Sequence, residues 1–169
     1  MPLIHDVESW ERRLAALPLA SYGAGATVFA EGTRTGQLFI LKSGAVRVVK
    51  NGTEIARVAE PGAILGELSA LLDQPHTADV CALEDSQFHV AEASALLAQD
   101  PVALLYVATV LAQRVDCANQ ALLELKRKVE AGEPPGLIEN TIDRIQGLLG
   151  SIGDGYVRAG AGLFIFPPG

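Results

Sequence analysis

The stretch LGELSALLDQPHTADV, residues Leu65–Val80, decides the fold of this chain. A glycine and an acid, Gly66 and Glu67, open a short apolar segment that predicts a helix to Leu72. Glycine allows a close approach of the backbone to another group, and the free N–H groups of a first helical turn attract an anion. A Pro-His-Thr turn follows at residues 75–77. The pattern favours a turn that receives an anion, and the alternative is an ordinary helix start at which the helix dipole favours an acid after a turn glycine.

Short strand-like runs surround this stretch. Ser43-Gly44 separates two β-prone runs, and Asn51-Gly52 is the strongest short-range signal for a hairpin. The predicted strands are residues 38–41, 45–49, 55–58, 77–82 and 87–91. Many short antiparallel strands with regular turns predict a jelly roll or barrel-like sandwich.

Helical periodicity precedes and follows the strands. It predicts a helix from Asp6 to Leu17, stopped by Pro18, and another over residues 92–98. Asp100-Pro101 is a well-formed start for a long helix that runs to about Lys128. Its apolar stripe predicts core packing and a seam with a partner helix, with a lid over a bound ligand as a second role. The stripe is Leu104, Ala108, Leu111, Val115, Ala118 and Leu122.

The chain divides into two predicted segments. Residues 1–129 form an α+β, mainly β domain, an antiparallel β-roll with an N-terminal helix, a short helix at 67–72 and a long C-terminal helix. Residues 130–169 begin with the linker Ala131–Gly136. A short amphipathic helix and a Gly/Pro-rich tail follow. The apolar positions of that helix are Ile138, Ile142, Ile145 and Leu149.

Composition excludes several classes of partner. The net charge is −7 with no basic cluster, which disfavours nucleic acid and anionic membranes because phosphate contacts need Lys and Arg on one face. The N-terminus does not resemble a signal peptide, and no apolar run reaches the ~20 residues of a membrane helix. Cys81 and Cys117 are expected as buried free thiols in a reducing compartment. The chain is therefore predicted to be cytoplasmic.

Catalytic and metal-binding patterns are not recognisable in the sequence. The three histidines, His5, His76 and His89, are scattered and include no His-x-His pair, which argues against a metal or haem site. No Ser-His-Asp, Cys-His or paired-carboxylate arrangement can be assembled. We therefore expect no enzyme activity, no metal and no resident cofactor.

These segments resemble the cyclic nucleotide-binding domain family, whose β-roll is that of cAMP receptor protein-like domains. Residues 65–80 resemble its phosphate-binding cassette in a variant form. Glu31-Gly32 and residues 38–46 resemble its Glu-Gly pair and its aromatic-aliphatic strand followed by Gly-x-Val. Residues 111–115 resemble its long closing helix. The resemblance covers about residues 20 to 128, most of the chain.

The resemblance implies a small-molecule ligand, cAMP or cGMP. Glu67 would accept the ribose 2′-hydroxyl, and Ser69, where the family often has alanine, would add a hydroxyl donor. Thr77 stands where some members hold guanine, although the role of an ordinary strand residue is the more common one. The implied ligand-binding residues are Gly66, Glu67, Leu68, Ser69, His76 and Thr77.

His76 is the departure from the family pattern, because the family places an arginine there to clamp the phosphate. Arginine is always charged and bidentate, whereas histidine is shorter and mostly neutral near pH 7. A hydrogen bond to a charged group contributes about 1.5–3 kcal/mol, so its loss would weaken binding by about one to two decades. Protonation of His76 by a bound phosphate would recover part of this. A phosphate contact and a surface turn position are equal alternatives for His76.

Three functional hypotheses follow from the resemblance. The first is a non-catalytic regulatory domain that binds a cyclic nucleotide and relays its occupancy through the long helix. The relay would reach a second copy, in a homodimer formed through residues 101–128, or an unidentified signalling partner protein. The second is a degenerate member that acts as a dimerisation or scaffold module or senses another small ligand. The third, a DNA-binding regulator, conflicts with the acidic C-terminal segment.

Overall fold

The computed structural model describes residues 7–134, 136 and 138–142. Within them the chain forms two β-sheets flanked by helices, and the predicted α+β, mainly β class is confirmed. The elements are α1 Val7–Ala15, β1 Leu19–Tyr22, β2 Thr27–Phe29, β3 Gln37–Ser43, β4 Val46–Lys50, β5 Thr53–Val58, β6 Ile64–Leu65, α2 Glu67–Leu71, β7 Asp79–Ala82, β8 Ser86–Glu92, α3 Ala93–Gln99 and α4 Pro101–Glu130.

Two four-stranded antiparallel sheets form the roll. One has the strand order β1-β8-β3-β6 and the other the order β2-β7-β4-β5. Apolar side chains from both sheets meet in one core, to which every strand from β2 to β8 contributes. Its largest members are Phe29, Phe39, Leu41, Leu65 and Phe88. The predicted jelly roll is therefore present.

Strand β3 is apolar on both faces because it is buried on both sides. Phe39 and Leu41 point into the core between the sheets. Leu38 and Ile40 point the other way, onto the helices. Since side chains alternate along a strand, this double burial explains the unbroken Leu-Phe-Ile-Leu run. Strand β3 therefore contributes to two cores, one between the two sheets and one between the sheet and the helices.

The hairpin between β4 and β5 follows the sequence prediction. Lys50 and Thr53 pair across it, and Asn51 and Gly52 between them have φ of 50° and 77°. Two successive positive φ angles match the twist of the flanking strands, and Asn-Gly adopts them with little strain. The turn sets the pairs next to it, Lys50 with Thr53 and Val49 with Glu54, and the register shifts between Val48 and Val49.

Helix α4 begins as predicted and ends two residues beyond the predicted position. The Asp100 carboxylate accepts hydrogen bonds from the N–H groups of Val102 and Ala103, and Pro101 occupies the first turn. Proline fits there because the first-turn N–H groups have no partner within the helix. The carboxylate of Asp100 also pairs with Arg13 of α1. The side chain of Asp100 therefore connects α1 to the start of α4.

The apolar stripe predicted for the core of α4 is not the face that packs on the roll. The packed residues are Ala103, Tyr106, Val107 and Val110. Leu104, Val115 and Leu122, all in the predicted stripe, are 45%, 60% and 66% exposed, Ala108 and Ala118 are exposed too, and Leu111 alone touches the core. The core assignment of the stripe was thus wrong, while its role as a seam for a partner helix stays a prediction.

Helix α1 is anchored to α4 by an aromatic stack. The rings of Trp10 and Tyr106 lie 4.3 Å apart, and both side chains are fully buried. The Tyr106 hydroxyl donates to the carbonyl of Gly62 at 3.3 Å. The predicted start of α1 at Asp6 lies outside the described residues, and its end comes at Ala15, two residues earlier than predicted. Tyr106 thereby links α1 to the turn before β6.

Helix α4 meets the length and composition test for a membrane-crossing helix, contrary to the sequence expectation that no apolar run is long enough. Of its most apolar window, 22% is buried against the domain. One such helix is weak evidence, because core helices of water-soluble proteins satisfy the same test. The expectation that the chain has no membrane partner stays a prediction.

Two other expectations are only partly met. Cys81 and Cys117 are free, but both are partly exposed rather than buried. The predicted segment 130–169 lies largely outside the described residues. Residues 136 and 138–142 of it are helical, with Thr141 buried and Ile142, a predicted inward position, exposed.

Candidate functional site

The cassette helix α2 begins at a glycine that no other residue can replace without strain. Gly66 has φ of 87°, and a Cβ placed on it would lie 2.7 Å from the carbonyl oxygen of Gln37. The same Cβ would lie 3.6 Å from Cε1 of His76. L-residues pay a steric cost at this φ, and the carbonyl adds a clash. Because Gly66 has no side chain, the start of the cassette helix can pack closely against β3.

Glu67 is a buried carboxylate held by the long helix. It is 4% exposed and forms an ion pair with Arg114 of α4. The Nη2 atom of Arg114 also donates to the carbonyl of Ile64 at 2.8 Å. Burial raises the pKa of Glu67, and the charge of Arg114 opposes that shift. The cassette and α4 are therefore joined through this carboxylate.

His76 lies inside the roll, so the surface-turn alternative was wrong. The residue is 4% exposed, and its ring stacks on Phe29 with a centroid distance of 4.1 Å. Its Nε2 atom lies 2.9 Å from the hydroxyl oxygen of Thr35. Burial lowers the pKa of the imidazole, because a charged ring would lose its hydration there. The lowered pKa favours the neutral form of the ring.

The β2–β3 loop, residues 30–36, fastens the cassette from outside. The N–H of His76 donates to the carbonyl of Thr33 at 2.8 Å, and the N–H of Gly32 donates to the carbonyl of His76 at 2.8 Å. Nη1 of Arg34 lies 3.0 Å from both the carbonyl and the carboxylate of Asp73. These contacts join the Pro-His-Thr turn and the cassette loop to the β2–β3 loop.

The remaining predicted residues have different surroundings. Ser69 is buried and donates its hydroxyl to the carbonyl of Gln74 at 2.6 Å, so it closes the cassette loop on itself. Leu68 points outward and is exposed. Thr77 is half-buried in the bend after His76. The structure thus brings Gly66 and His76 face to face and leaves Leu68 away from them.

Two cavities on the described surface lie outside the roll. One of about 260 Å³ behind the cassette touches Ser69 but no other predicted ligand residue. The other, of about 460 Å³, lies between the end of α1, β8 and α3 and touches none of them. Inside the roll, the space beside the cassette is occupied by the stacked rings of Phe29 and His76.

Arg114 is the functional candidate that the sequence analysis missed. It follows Val107 and Val110 at helical spacing, so a cation stands on the face of α4 that packs on the roll. A charge on an otherwise apolar face is a signal for a buried partner, and the partner is Glu67. Thr35 and Arg34 gave no such signal, because polar loop residues are ordinary. Within the described residues, no cluster of three His, Cys, Asp or Glu side chains suits a metal ion.

Comparison with known proteins places this geometry in a family. The model of the cyclic nucleotide-binding domain matches residues 19–99. Over 88 residues the chain is 35% identical to a cAMP-dependent protein kinase regulatory subunit of Aspergillus niger, an alignment that covers 50% of the chain and 21% of that protein. Over 123 residues it is 32% identical to the Pycsar effector protein XpPycTIR of Xanthomonas perforans, covering 70% of the chain and 40% of the effector.

A solved structure agrees at the level of the fold. The catabolite activator protein of Thermus thermophilus superposes with a TM-score of 0.60 at 23% identity, covering 86% of the chain and 84% of that protein. The chain spans from about a fifth to two fifths of the length of the two curated relatives. Residues 19–99, with the roll, the cassette and α3, are therefore a domain of the cyclic nucleotide-binding domain family.

Proposed function

We propose that the roll binds a 3′,5′-cyclic nucleotide, cAMP or cGMP, and that α4 relays its occupancy as a non-catalytic signal. In this proposal Glu67 accepts the ribose 2′-hydroxyl, and Gly66 and His76 face the phosphate. Ser69, predicted to add a hydroxyl donor, instead donates its hydroxyl to the carbonyl of Gln74. Thr77 borders the site, whereas Leu68 points outward and lies away from it. The relatives that share the domain include a cAMP-dependent kinase regulatory subunit, which supports cAMP as the first ligand to test.

The buried pair of Glu67 and Arg114 carries the proposal. Burial of a carboxylate is unfavourable unless it is paired and hydrogen-bonded, and replacing such a pair with apolar residues is often neutral or stabilising. Stability alone therefore does not explain why a charge stands at this position. A ribose hydroxyl that bonds to Glu67 would share that carboxylate with Arg114. Ligand binding would in this way act directly on α4.

The relay follows from where Arg114 sits on α4. Arg114 is bonded to both Glu67 and the carbonyl of Ile64, while the helix beyond Ala121 exposes Leu122 and Leu123. Helix α4 has two states in this proposal, docked on the roll through Arg114 and released from it. A ligand that binds one of these states more tightly than the other shifts their populations by that difference in affinity. The exposed half of the helix would carry that shift to a second copy or another protein.

Titration calorimetry with cAMP and cGMP tests the binding step. We expect wild-type binding in the micromolar range and a loss of at least about tenfold in Glu67→Gln, because the amide is a weaker acceptor than the carboxylate. Glu60→Gln, an exposed carboxylate in the turn before β6, is the matched control and should bind like wild type. Equal binding by Glu67→Gln and wild type would contradict the assigned ribose contact.

Hydrogen exchange tests the relay step. Saturating nucleotide is expected to change the exchange of amides in α4 in wild type and to change it much less in Arg114→Gln. If binding persists in that variant and α4 responds as in wild type, the relay does not run through Arg114.

The second candidate is a module that does not bind cyclic nucleotide and acts through dimerisation. The inward position of His76 favours it, because the ring fills space beside the cassette and offers no fixed cation. In that case neither nucleotide gives heat or a thermal shift at millimolar concentration, and His76→Arg does not create binding. Binding gained by His76→Arg alone would indicate an intact pocket with a weak phosphate contact.

A further inference from the structure

A groove on the outside of the roll, which we call the α1–α3 groove, lies between the end of α1, strand β8 and helix α3. It is the cavity of about 460 Å³, and its walls include Leu17, Pro18, Ala95 and Leu96. A volume of this size accommodates a small molecule or a short peptide segment. None of these residues belongs to the cassette, so the groove is separate from the proposed nucleotide site.

The edge of β8 that faces this groove carries a carbonyl that β1 does not pair. The N–H of Val90 donates to the carbonyl of Pro18 at 2.9 Å. In an antiparallel ladder the residue opposite would return a hydrogen bond from its own N–H. Proline has no N–H, so the carbonyl of Val90 receives no bond from Pro18.

The N–H of Glu92 lies on the same edge. On the other side of the strand, the N–H of Ala93 donates to the carbonyl of Gly36, so residues 90 and 92 both face the groove. The residue that would continue β1 opposite Glu92 is Ala16, but its N–H donates to the carbonyl of Arg13 at the end of α1. The groove therefore presents one acceptor and one donor, two residues apart, to an extended backbone.

The acidic side chains that line the groove are already engaged. The carboxylate of Glu92 accepts hydrogen bonds from the N–H groups of Ser94 and Ala95. The carboxylate of Asp100 caps α4 and pairs with Arg13. The occupant that matches such a groove is an uncharged, apolar segment in an extended conformation.

The chain itself contains a segment of this kind. The longest apolar run after Ile142 is Leu163–Phe166, Leu-Phe-Ile-Phe, which lies outside the described residues. Branched and aromatic side chains favour extended conformations, and the following Pro167 is a residue that ends strands. The run carries no charge.

The run is far enough along the chain to reach the groove. Asp100 lines the groove at the start of α4, and the helix ends at Glu130, about 44 Å away. If residues 138–149 are helical, as the sequence predicts, they span about 18 Å. The seven residues 131–137 and the thirteen residues 150–162 span up to about 66 Å. That length exceeds the other two together, so the run reaches the groove whichever way the helix points.

We propose that the α1–α3 groove receives the run Leu163–Phe166 of the same chain as an extended segment. Its backbone bonds to the N–H of Glu92 and to the carbonyl of Val90, and its side chains cover the apolar walls. The bound run holds α3 on β8. Because α3 leads directly into α4, the C-terminal segment then helps to fix the start of the long helix.

Disulfide cross-linking of the full chain tests this placement. In a Cys81→Ala/Cys117→Ala background, Ala95→Cys is combined in turn with Phe164→Cys and with Ile165→Cys, since neighbours in an extended segment point in opposite directions. Ala98→Cys, exposed on α3 outside the groove, replaces Ala95→Cys in the control. We expect at least one pair with Ala95→Cys to form a disulfide within one chain at least about fivefold faster than its control.

The masses of the oxidised products distinguish the outcomes. Equal rates for Ala95→Cys and Ala98→Cys, or no disulfide, would show that the run does not occupy the groove. A disulfide found only between two chains would give the groove to the run of a second copy and overturn the intrachain assignment.

Hydrogen exchange of the Glu92 amide, measured by NMR, tests the backbone contact. In Phe164→Ser/Phe166→Ser we expect this amide to exchange at least about tenfold faster than in wild type, because its acceptor is lost. Tyr156→Ser, in the same segment but outside the run, should exchange like wild type. Equal exchange in wild type and in the double variant would refute the contact. Neither measurement uses a nucleotide, so the outcome does not depend on the proposed function.

Discussion

At the scale of single residues, the strongest constraint in the domain is the missing side chain of Gly66. Its φ of 87° alone would strain an L-residue, and the carbonyl of Gln37 leaves no room for a Cβ. Gly52 in the β4–β5 turn has a similar φ of 77° but open space around it. The two glycines therefore separate the cost of the backbone angle from the cost of the clash.

We predict that Gly66→Ala lowers the free energy of unfolding by about 2–4 kcal/mol, of which about 1–2 kcal/mol comes from the left-handed conformation. Gly52→Ala should lose only that smaller part. Urea unfolding of both variants measures the difference, with the slope of the transition confirming an unchanged folded state. Equal losses in the two variants would mean that α2 shifts freely and that the cassette is not held against β3.

The buried ring of His76 predicts a dependence of stability on pH. Its pKa is lowered in the folded state, so the unfolded chain binds a proton more readily, and stability falls as pH decreases through the normal histidine range and below. Part of the destabilisation between pH 7 and 5 should therefore disappear in His76→Gln. Thermal unfolding of the variant and of wild type across this range gives the difference, in which His89, whose pKa burial also lowers, cancels. A parallel pair of curves would contradict the assignment.

The sequence predicted that Glu67 lies at the start of a helix, but it did not predict which residue pairs with its carboxylate. A glycine followed by an acid at the start of an apolar segment is a local pattern, and the structure has a helix at that place. The partner of Glu67 is Arg114, 47 positions along the chain, and the ring of His76 turns toward Phe29 on another strand. Pairings of this range depend on how two elements pack. Local patterns do not contain that information.

At the scale of elements, α4 carries two apolar faces and the sequence could not rank them. At 100° per residue, the stripe through Val115 and Leu122 lies about 100° around the helix from the face through Val107 and Val110. Both have helical spacing. The roll selects the face with Ala103 and Tyr106, since a small residue allows close approach and the tyrosine reaches the carbonyl of Gly62. The other face stays exposed.

We predict that the exposed face of α4 associates two copies of the chain. In Val115→Glu/Leu122→Glu, two charges would be placed in that interface, so the mass measured by sedimentation equilibrium should fall from dimer to monomer. The free energy of unfolding of the monomer should change by less than about 0.5 kcal/mol, because both positions are exposed. Gln120→Glu, exposed on another side of α4, is the control for added charge. A wild-type chain that is monomeric at high micromolar concentration would refute the seam.

At the scale of the whole molecule, the roll was predictable while the docking of its helices was not. Alternating apolar residues and the Asn-Gly and Pro-Gly turns predicted strands through near neighbours, and short antiparallel strands of this kind close in few ways. Five of the eight strands were predicted in this way, and β1, β2 and β6 were not. The attachment of α4 uses residues from distant segments. Trp10 of α1 stacks on Tyr106, Arg13 pairs with Asp100, and Arg114 reaches the cassette. The helix is thus held at both ends of its packed half.

This arrangement predicts that α4 docks as one unit. Trp10 and Arg114 act about 12 Å apart along the helix and share no partner, a separation at which substitutions usually add. We expect Trp10→Leu to lower the free energy of unfolding by about 2 kcal/mol, because the stack on Tyr106 is lost. If docking is cooperative, this substitution also loosens α4 as far as Arg114. Arg114→Lys should then cost at least about 0.5 kcal/mol less in that background than in wild type.

A cycle of urea unfolding measurements on the two single variants and the double variant gives this coupling energy. Gly52→Ala combined with Trp10→Leu provides the reference, since a Cβ added at Gly52 would meet no atom within 4 Å, and its cost should add within about 0.3–0.5 kcal/mol. Additivity in both pairs would mean that the two ends of the packed half respond separately. A ligand at Glu67 would then reach only the nearby turn of α4, and α1 would have no influence on the cassette. Coupling found only in the Trp10–Arg114 pair would instead mean that α1 takes part in the docking of α4 on the cassette.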